Sequence, residues 1–254
     1  MAGHSKWAGI KHKKAIVDAQ RGKTFSKVVR ELTAAARIGG GSPEANPRLR
    51  LAIQKAKEAN LPKDSVEKAS QRGTGELPGV IYEEMVMEGY GPGGVAILVE
   101  ALTDNKNRTS AELRSVFTRL GGNYAGAGSV SWLFHKKGVL VLTAKGLDEE
   151  QLMEVALDAG AEDLNIEGGQ ATITVLPPTF EAVKQALQRA GYPVESSELT
   201  LVPSSTVKVE DPAQVKTLLA LLDGLEEHDD TQHVYANFDI PDAVLAEQAG
   251  GSSR

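Results

Sequence analysis

From Thr24 onward apolar residues recur with the period of a helix. Phe25, Val28, Val29, Leu32 and Ala36 fall at i, i+3, i+4, i+7 and i+11, which is one helical face. Gly39-Gly40-Gly41-Ser42-Pro43 stops it. Asn46-Pro47 opens a second helix, with asparagine as N-cap and proline in the first turn. Its apolar side is Leu49, Ala52, Ile53 and Ala56, while Arg50, Gln54 and Lys57 share another side. A short third helix follows Leu61-Pro62, with Val66 and Ala69 inward and Lys68 and Arg72 outward, and Gly73-Thr74-Gly75 closes it. Before Thr24 no hydrophobic period exists. Residues 1–23 read as an extended arm.

From Val80 the period shortens to that of strands. Ile81–Glu88 and Val95–Leu102 are expected to pair across a Gly/Pro turn. Asn107 is expected to cap a helix through Leu120, and Ser129–Phe134 to form the next strand. A strand at Gly138–Leu142, a helix at Asp148–Ala159, strands at Asp163–Ile166 and Ala171–Leu176, a helix at Thr179–Ala190 and a strand at Val194–Leu201 follow. That order, β-α-β-β-α-β, is the ferredoxin-like split. A strand at Thr206–Val209, a helix at Pro212–Leu222 and a strand at Thr231–Phe238 remain. They are too few to fold alone and are expected to complete the sheet begun after residue 78. The fold class expected is therefore α+β: an N-terminal all-helical domain followed by two α/β domains, the last ferredoxin-like and inserted in the middle one. The boundaries are 1–77 for the arm and helical domain, 78–135 plus 204–238 for a discontinuous α/β domain, 136–203 for the insertion, and 239–254 for a frayed tail.

Composition bounds the chemistry. The 254 residues include no cysteine, which removes disulfides and thiolate chemistry. No apolar run could serve as a signal peptide or cross a bilayer. A cytoplasmic protein with no membrane partner is expected. Charge changes the picture more. Residues 1–75 hold 16 Lys/Arg against 6 Asp/Glu, and residues 76–254 hold 12 against 28. The net charge of −6 hides a strongly basic end on an acidic body, the signature of a polyanion-binding head.

The candidate nucleic-acid-binding residues follow from that asymmetry. Lys6, Lys11, Lys13, Lys14, Arg21 and Lys23 lie in the arm with Trp7 and His12. Cations there neutralise phosphates and release counterions, and a tryptophan among them can stack on an exposed base. Arg48, Arg50, Lys55, Lys68 and Arg72 extend the basic surface over the helices. Gly89-Tyr90-Gly91-Pro92-Gly93-Gly94 matches G-x-G-x-x-G, but a strand follows where a dinucleotide fold needs a helix, so it reads as a tight strand connection. The five histidines show no metal spacing. No Walker loop or nucleophile elbow is present, and the carboxylate runs read as helix starts and solvated turns. No catalytic residue, cofactor, metal or small-molecule substrate is expected; a carboxylate-lined cleft between the α/β domains is the minority enzyme reading.

Four stretches carry a resemblance: AGHSKWAGIKHKKAIVDAQRGKTFSKVVREL, NPRLRLAIQKAKEANLPKD, EGYGPGGVAILVEALTDNKNRTSAELRSVF and GSVSWLF. They resemble the YebC/PmpR family, which includes mitochondrial translational activators of cytochrome oxidase synthesis. The resemblance runs over residues 2–135 and more loosely to Phe238, with Tyr124-Ala125 and Trp132 departing slightly from the family pattern. It implies three domains and a non-enzymatic regulator of gene expression in a bacterial cytosol. Bacterial members are described as DNA-binding transcriptional regulators; organellar members act on translation, and some bacterial members relieve ribosome stalling. Carried onto this chain, the nucleic-acid surface would be Gly3–Lys14 with the helices at Arg21–Arg30, including Lys27 and Arg30, and at Arg48–Lys57. DNA and ribosomal RNA, with the ribosome itself, both stay open as the partner. The acidic segment Glu226–Asp230 has no chemistry assigned by this reading.

Overall fold

The structure, a computed structural model, describes residues 18–144, 146, 148–167, 169–241 and 244, with side chains from residue 22 onward. Helix α1 spans Asp18–Gly39, α2 Pro47–Glu58 and α3 Lys63–Thr74. Residues 18–23 are therefore helical, not part of an extended arm. Leu32, Ala35, Ala36, Leu49, Ala52, Ala56 and Ala69 form the buried core of this unit, and its many alanines let the three helices approach closely. Asn46 ties two helix ends together. Its Oδ1 accepts from Leu49 N at 3.1 Å and caps α2, while its Nδ2 donates to Ala35 O and Gly40 O, both at 2.8 Å. Those carbonyls lie in the last turn of α1 and just past its end, so one side chain starts α2 and holds the finish of α1.

Strands β1 (Glu83–Tyr90), β2 (Ala96–Thr103), β3 (Asn123–Ala125) and β9 (Thr231–Ala236) make one antiparallel sheet in the order β3-β1-β2-β9. Helices α4 (Lys106–Arg119) and α7 (Pro212–Glu226) cover one face. Met87, Ile97 and Val99 meet Leu113 and Phe117 from α4 and Leu218, Leu221 and Leu225 from α7 there. The N-cap of α4 is Asn105, which accepts from Arg108 N at 3.1 Å, rather than Asn107. The expected strand at Ser129–Phe134 is instead a 3-10 turn, Ser131–Leu133, leading into β4 (Phe134–Thr143).

Strands β4, β5 (Ala161–Glu167), β6 (Gln170–Val175) and β7 (Val194–Pro203) form a second antiparallel sheet, ordered β5-β6-β4-β7. Helices α5 (Glu149–Asp158) and α6 (Phe180–Arg189) pack on it through Leu152, Ala156, Val183 and Leu187. The chain enters and leaves this sheet side by side: Phe134 pairs with Pro203, and Ser204 N donates to Leu133 O at 2.8 Å. Two short strands, β8 (Val207–Lys208) and β10 (Phe238–Asp239), pair in parallel, and Ile240 beyond them is buried. Among the described residues no helix is long and apolar enough to cross a membrane.

Candidate nucleic-acid interface

Lys23, Lys27 and Arg30 stand four and three residues apart, so they form one stripe along α1. The structure turns that stripe inward. Lys27 Nζ donates to Glu226 O at 2.6 Å, Lys23 Nζ to Glu227 O at 3.3 Å, and Arg30 Nη1 to Asp229 O. Helix α7 has no basic residue in its own last turn. Its final carbonyls lack helical partners and carry the negative end of the dipole, and cations from α1 complete them. Asp230 finishes the joint. Arg30 Nη1 lies 3.2 Å from Oδ1, while Arg108 Nη2 and Thr109 Oγ1 donate to Oδ2, both at 2.6 Å. The Asp230 side chain is 3% exposed. Burial alone would raise its pKa, but the bonds from Thr109 and Arg108 and the charges of Arg30 and Arg108 outweigh burial and hold it below the usual carboxylate range. The acidic segment at 226–230 thus serves as the receptor for the helical unit.

Arg48 joins three elements. Its Nε and Nη2 meet the two oxygens of Glu31 at 2.7 and 3.1 Å, and its Nη1 meets Glu84 of β1. The Glu31 hydrogen bond, against the opposing cost of burial, pushes its pKa further up and keeps it charged. The neighbouring carboxyl Glu100 behaves differently. Tyr235 Oη donates to it at 3.1 Å, but burial pushes its pKa up, and the charges of Glu84 and Glu31 add to the rise. A raised folded pKa means that ionised Glu100 costs stability at neutral pH, a cost that disappears as pH falls through that pKa. Glu100→Gln is therefore expected to stabilise the protein by about 0.5–1 kcal/mol near pH 7. Unfolding curves should show the gain shrinking as the solution is acidified; a gain independent of pH would contradict the assignment.

The remaining cations of the helical unit face outward. Arg50 donates to the backbone at Pro43 O, 3.2 Å away, and Lys55 and Lys57 are exposed in the last turn of α2. Arg37 and Arg72 are exposed near one another, because Gly73 lets the end of α3 approach the backbone of Arg37. None of these five makes an ion pair among the described residues. Arg37 was not among the residues expected from sequence; its place in the last turn of a helix, where cations are favoured, was its only signal. Lys68 is paired with Asp64 at 2.7 Å. Lys6, Trp7, Lys11, His12, Lys13 and Lys14 lie outside the described residues, as does the side chain of Arg21.

An open cleft of about 810 Å³ runs beside α4 and the loop at 227–230. Arg30, Arg108 and Arg119 line it together with Glu112, Glu227, Asp229 and Asp230. Mixed signs offer a phosphate chain no uniform field. His228 crosses it with Nδ1 accepting from Asp230 N at 3.2 Å, which assigns the proton to Nε2, 2.9 Å from Glu112. No group of three or more metal-ligating side chains converges among the described residues. The glycine-rich run at 89–94 is also accounted for. A Cβ at Gly89 would lie 2.6 Å from Phe117 Cε1 and 2.7 Å from Asn123 O, and Gly93 turns the β1–β2 connection at φ +75°. These glycines serve packing and a turn.

Two family models match the chain. Residues 5–76 match the one described as the TACO1/YebC protein N-terminal domain, and residues 82–238 the one described as the TACO1/YebC second and third domain. The chain is 53% identical over 246 residues to a "Probable transcriptional regulatory protein" of Dictyoglomus turgidum, covering 96% of this chain and 98% of that one. A protein of the same description from Geobacter sulfurreducens is 54% identical over 240 residues, covering 94% and 96%. Among solved structures, a conserved hypothetical protein, Aq1575 from Aquifex aeolicus, superposes with a TM-score of 0.79 at 50% identity, covering 93% of this chain and 97% of that one.

Proposed function

The chain belongs to the TACO1/YebC family, and from that premise we propose that it is a non-enzymatic regulator of gene expression that works in the cytoplasm by binding nucleic acid. The observation that carries this reading is the set of exposed, ion-pair-free cations on the helical unit, Arg37, Arg50, Lys55, Lys57 and Arg72. The arm residues Lys6, Lys11, Lys13 and Lys14 would extend it, with Trp7 and His12 among them. Lys23, Lys27, Arg30 and Arg48 hold the head against the body, so their part in binding is to place the surface. The relatives' name, probable transcriptional regulatory protein, supports a role in transcription and makes duplex DNA the first partner to consider.

A second reading, an RNA- or ribosome-binding translation factor, is favoured by one feature. Helix α1 turns its basic stripe onto α7, and among the described residues we read no helix-turn-helix frame that would set a recognition helix in a groove. Backbone contacts suit a folded RNA as well as a duplex. We also read the strand orders as three units: a helical head, a middle sheet made from 78–135 and 204–238, and a ferredoxin-like insertion at 136–203. The neighbouring entry and exit at Leu133 and Ser204 support that division.

Affinity for duplex DNA, structured RNA and ribosomes, measured across a salt series, tests the reading. A promoter fragment that outcompetes bulk DNA by about a thousandfold establishes transcription. Tight binding at physiological salt to RNA or ribosomes alone establishes translation. Absence of salt-dependent binding to all three refutes both.

A further inference from the structure

Trp132 is 66% exposed, although it stands on a short turn between two strands that could have folded it inward. Its indole N–H donates to Ser129 O at 3.1 Å, and the phenol of Tyr90, at the end of β1, donates to the same carbonyl at 3.1 Å. Both donors are therefore spent inside the protein. What the two rings have left for a partner is their faces and the acceptor oxygen of Tyr90.

The turn beneath them is fixed by a buried carboxylate. Glu88 is 5% exposed, and its oxygens accept from Gly128 N at 2.7 Å, Val130 N at 2.6 Å and Ser131 N at 2.9 Å. Burial opposes its charge, but the three amide bonds outweigh burial and hold its pKa below the ordinary range. Val130 is fully buried alongside. A large aromatic held outward on a pre-organised loop is the less common arrangement and calls for an occupant. Lys136 follows in β4, exposed and without an ion pair among the described residues, and its charge favours a polyanion over a cationic peptide.

We propose that Trp132, with Tyr90 beside it, is a stacking platform for an unpaired base of RNA. The inference rests on the nucleic-acid reading above and deepens it by naming the element recognised. Stacking needs only a π-face and no hydrogen-bond donor, which is what the site presents. Unpaired, splayed bases are a standing feature of folded RNA, whereas duplex DNA shows them only after its strands open. The platform lies at the Tyr90 end of β1, and Glu84, which meets Arg48 of the helical unit, lies near the other end, about 20 Å away. A bound RNA would reach both, its backbone on the helices and one base on the sheet.

The test uses the full chain and three probes: an RNA hairpin with a one-nucleotide bulge of 2-aminopurine, the same hairpin fully paired, and a DNA duplex of equal length. Wild type is expected to quench the bulge fluorescence on binding. Trp132→Ala should lose about ten- to hundredfold in affinity for the bulged hairpin, lose the quench, and change less than twofold on the paired probes. Trp132→Phe should keep most of both signals, and Glu88→Gln, which disturbs the loop and leaves the ring, should fall between. If Trp132→Ala binds and quenches as wild type does, the platform is refuted while the nucleic-acid reading stands. If wild type binds none of the probes and no ribosome, that reading fails and the platform with it; binding to ribosomes alone, unchanged in Trp132→Ala, refutes the platform and leaves the reading standing. Wild-type binding that prefers the paired hairpin, or a Trp132 shielded by peptide and not by RNA, refutes the platform alone.

Discussion

Asp230→Ala is expected to destabilise the protein by about 2–4 kcal/mol, read as a lower midpoint in urea or thermal unfolding. The buried carboxylate accepts from Arg108 and Thr109 and pairs with Arg30. Removing it takes the buried carboxylate from two guanidinium groups and a hydroxyl at once, leaving Arg30 with Asp229 O and Thr109 with Asn105 O and Thr103 Oγ1. The cost falls below that of a fully buried ion pair because Arg108 keeps Asp104 at 2.9 Å and reaches water. The loss should also appear locally. Amide exchange should quicken in the first turns of α1, whose docking depends on this joint. Acid should have the same effect only at low pH. Because the Asp230 pKa is depressed, its contribution is complete above the ordinary carboxylate range and is lost as pH falls through the folded value. Unchanged stability in Asp230→Ala would mean that the head is held by the small alanine core and not by charge.

Phe117→Ala should cost about 3–5 kcal/mol. The ring is fully buried and sits against two glycines, since a Cβ would meet it 2.6 Å away at Gly89 and 3.0 Å away at Gly122. With no side chain on either glycine, the hole left by the ring has little to collapse into it. The same geometry makes the glycine-rich run at 89–94 a matter of packing, so Phe117→Ala should loosen the middle sheet. A loss under 1 kcal/mol would show that the helix can shift to fill the space.

Local chemistry in the sequence located most elements, and long-range contacts set the rest. Helix α2 was legible because Asn46 and Pro47 act within their own turn. The start of α1 was not, because residues 18–23 carry almost no apolar period; the contact that holds its described part is long-range, Lys23 to Glu227 O, 204 residues away. Asn105 and Asn107 could each have capped α4. Thr103, which accepts from Asn105 N at 2.9 Å, and Asp230, which draws Arg108 and Thr109, settle the choice. The run at 129–134 alternates like a strand, but the amides of Val130 and Ser131 go to Glu88 instead of a neighbouring strand.

The candidate surface shows the same division. The charge asymmetry and the outward residues Arg50, Lys55 and Lys57 could be read from spacing alone. Which of the α1 cations faced solvent could not, because a helical stripe does not declare what it faces. The acidic segment near residue 228, without assigned chemistry in the sequence, turned out to be where that stripe lands.

The central claim is that the outward cations of the helical unit meet a phosphate backbone. The most direct measurement is the slope of log affinity against log salt for the tightest-binding nucleic acid, in wild type and in a variant with Arg50, Lys55 and Lys57 all changed to alanine. Each lost phosphate contact should flatten the slope by about 0.7–0.9, so the variant, which loses three, should be shallower by about 2.1–2.7 with its fold intact. An identical slope in the two proteins would contradict the claim.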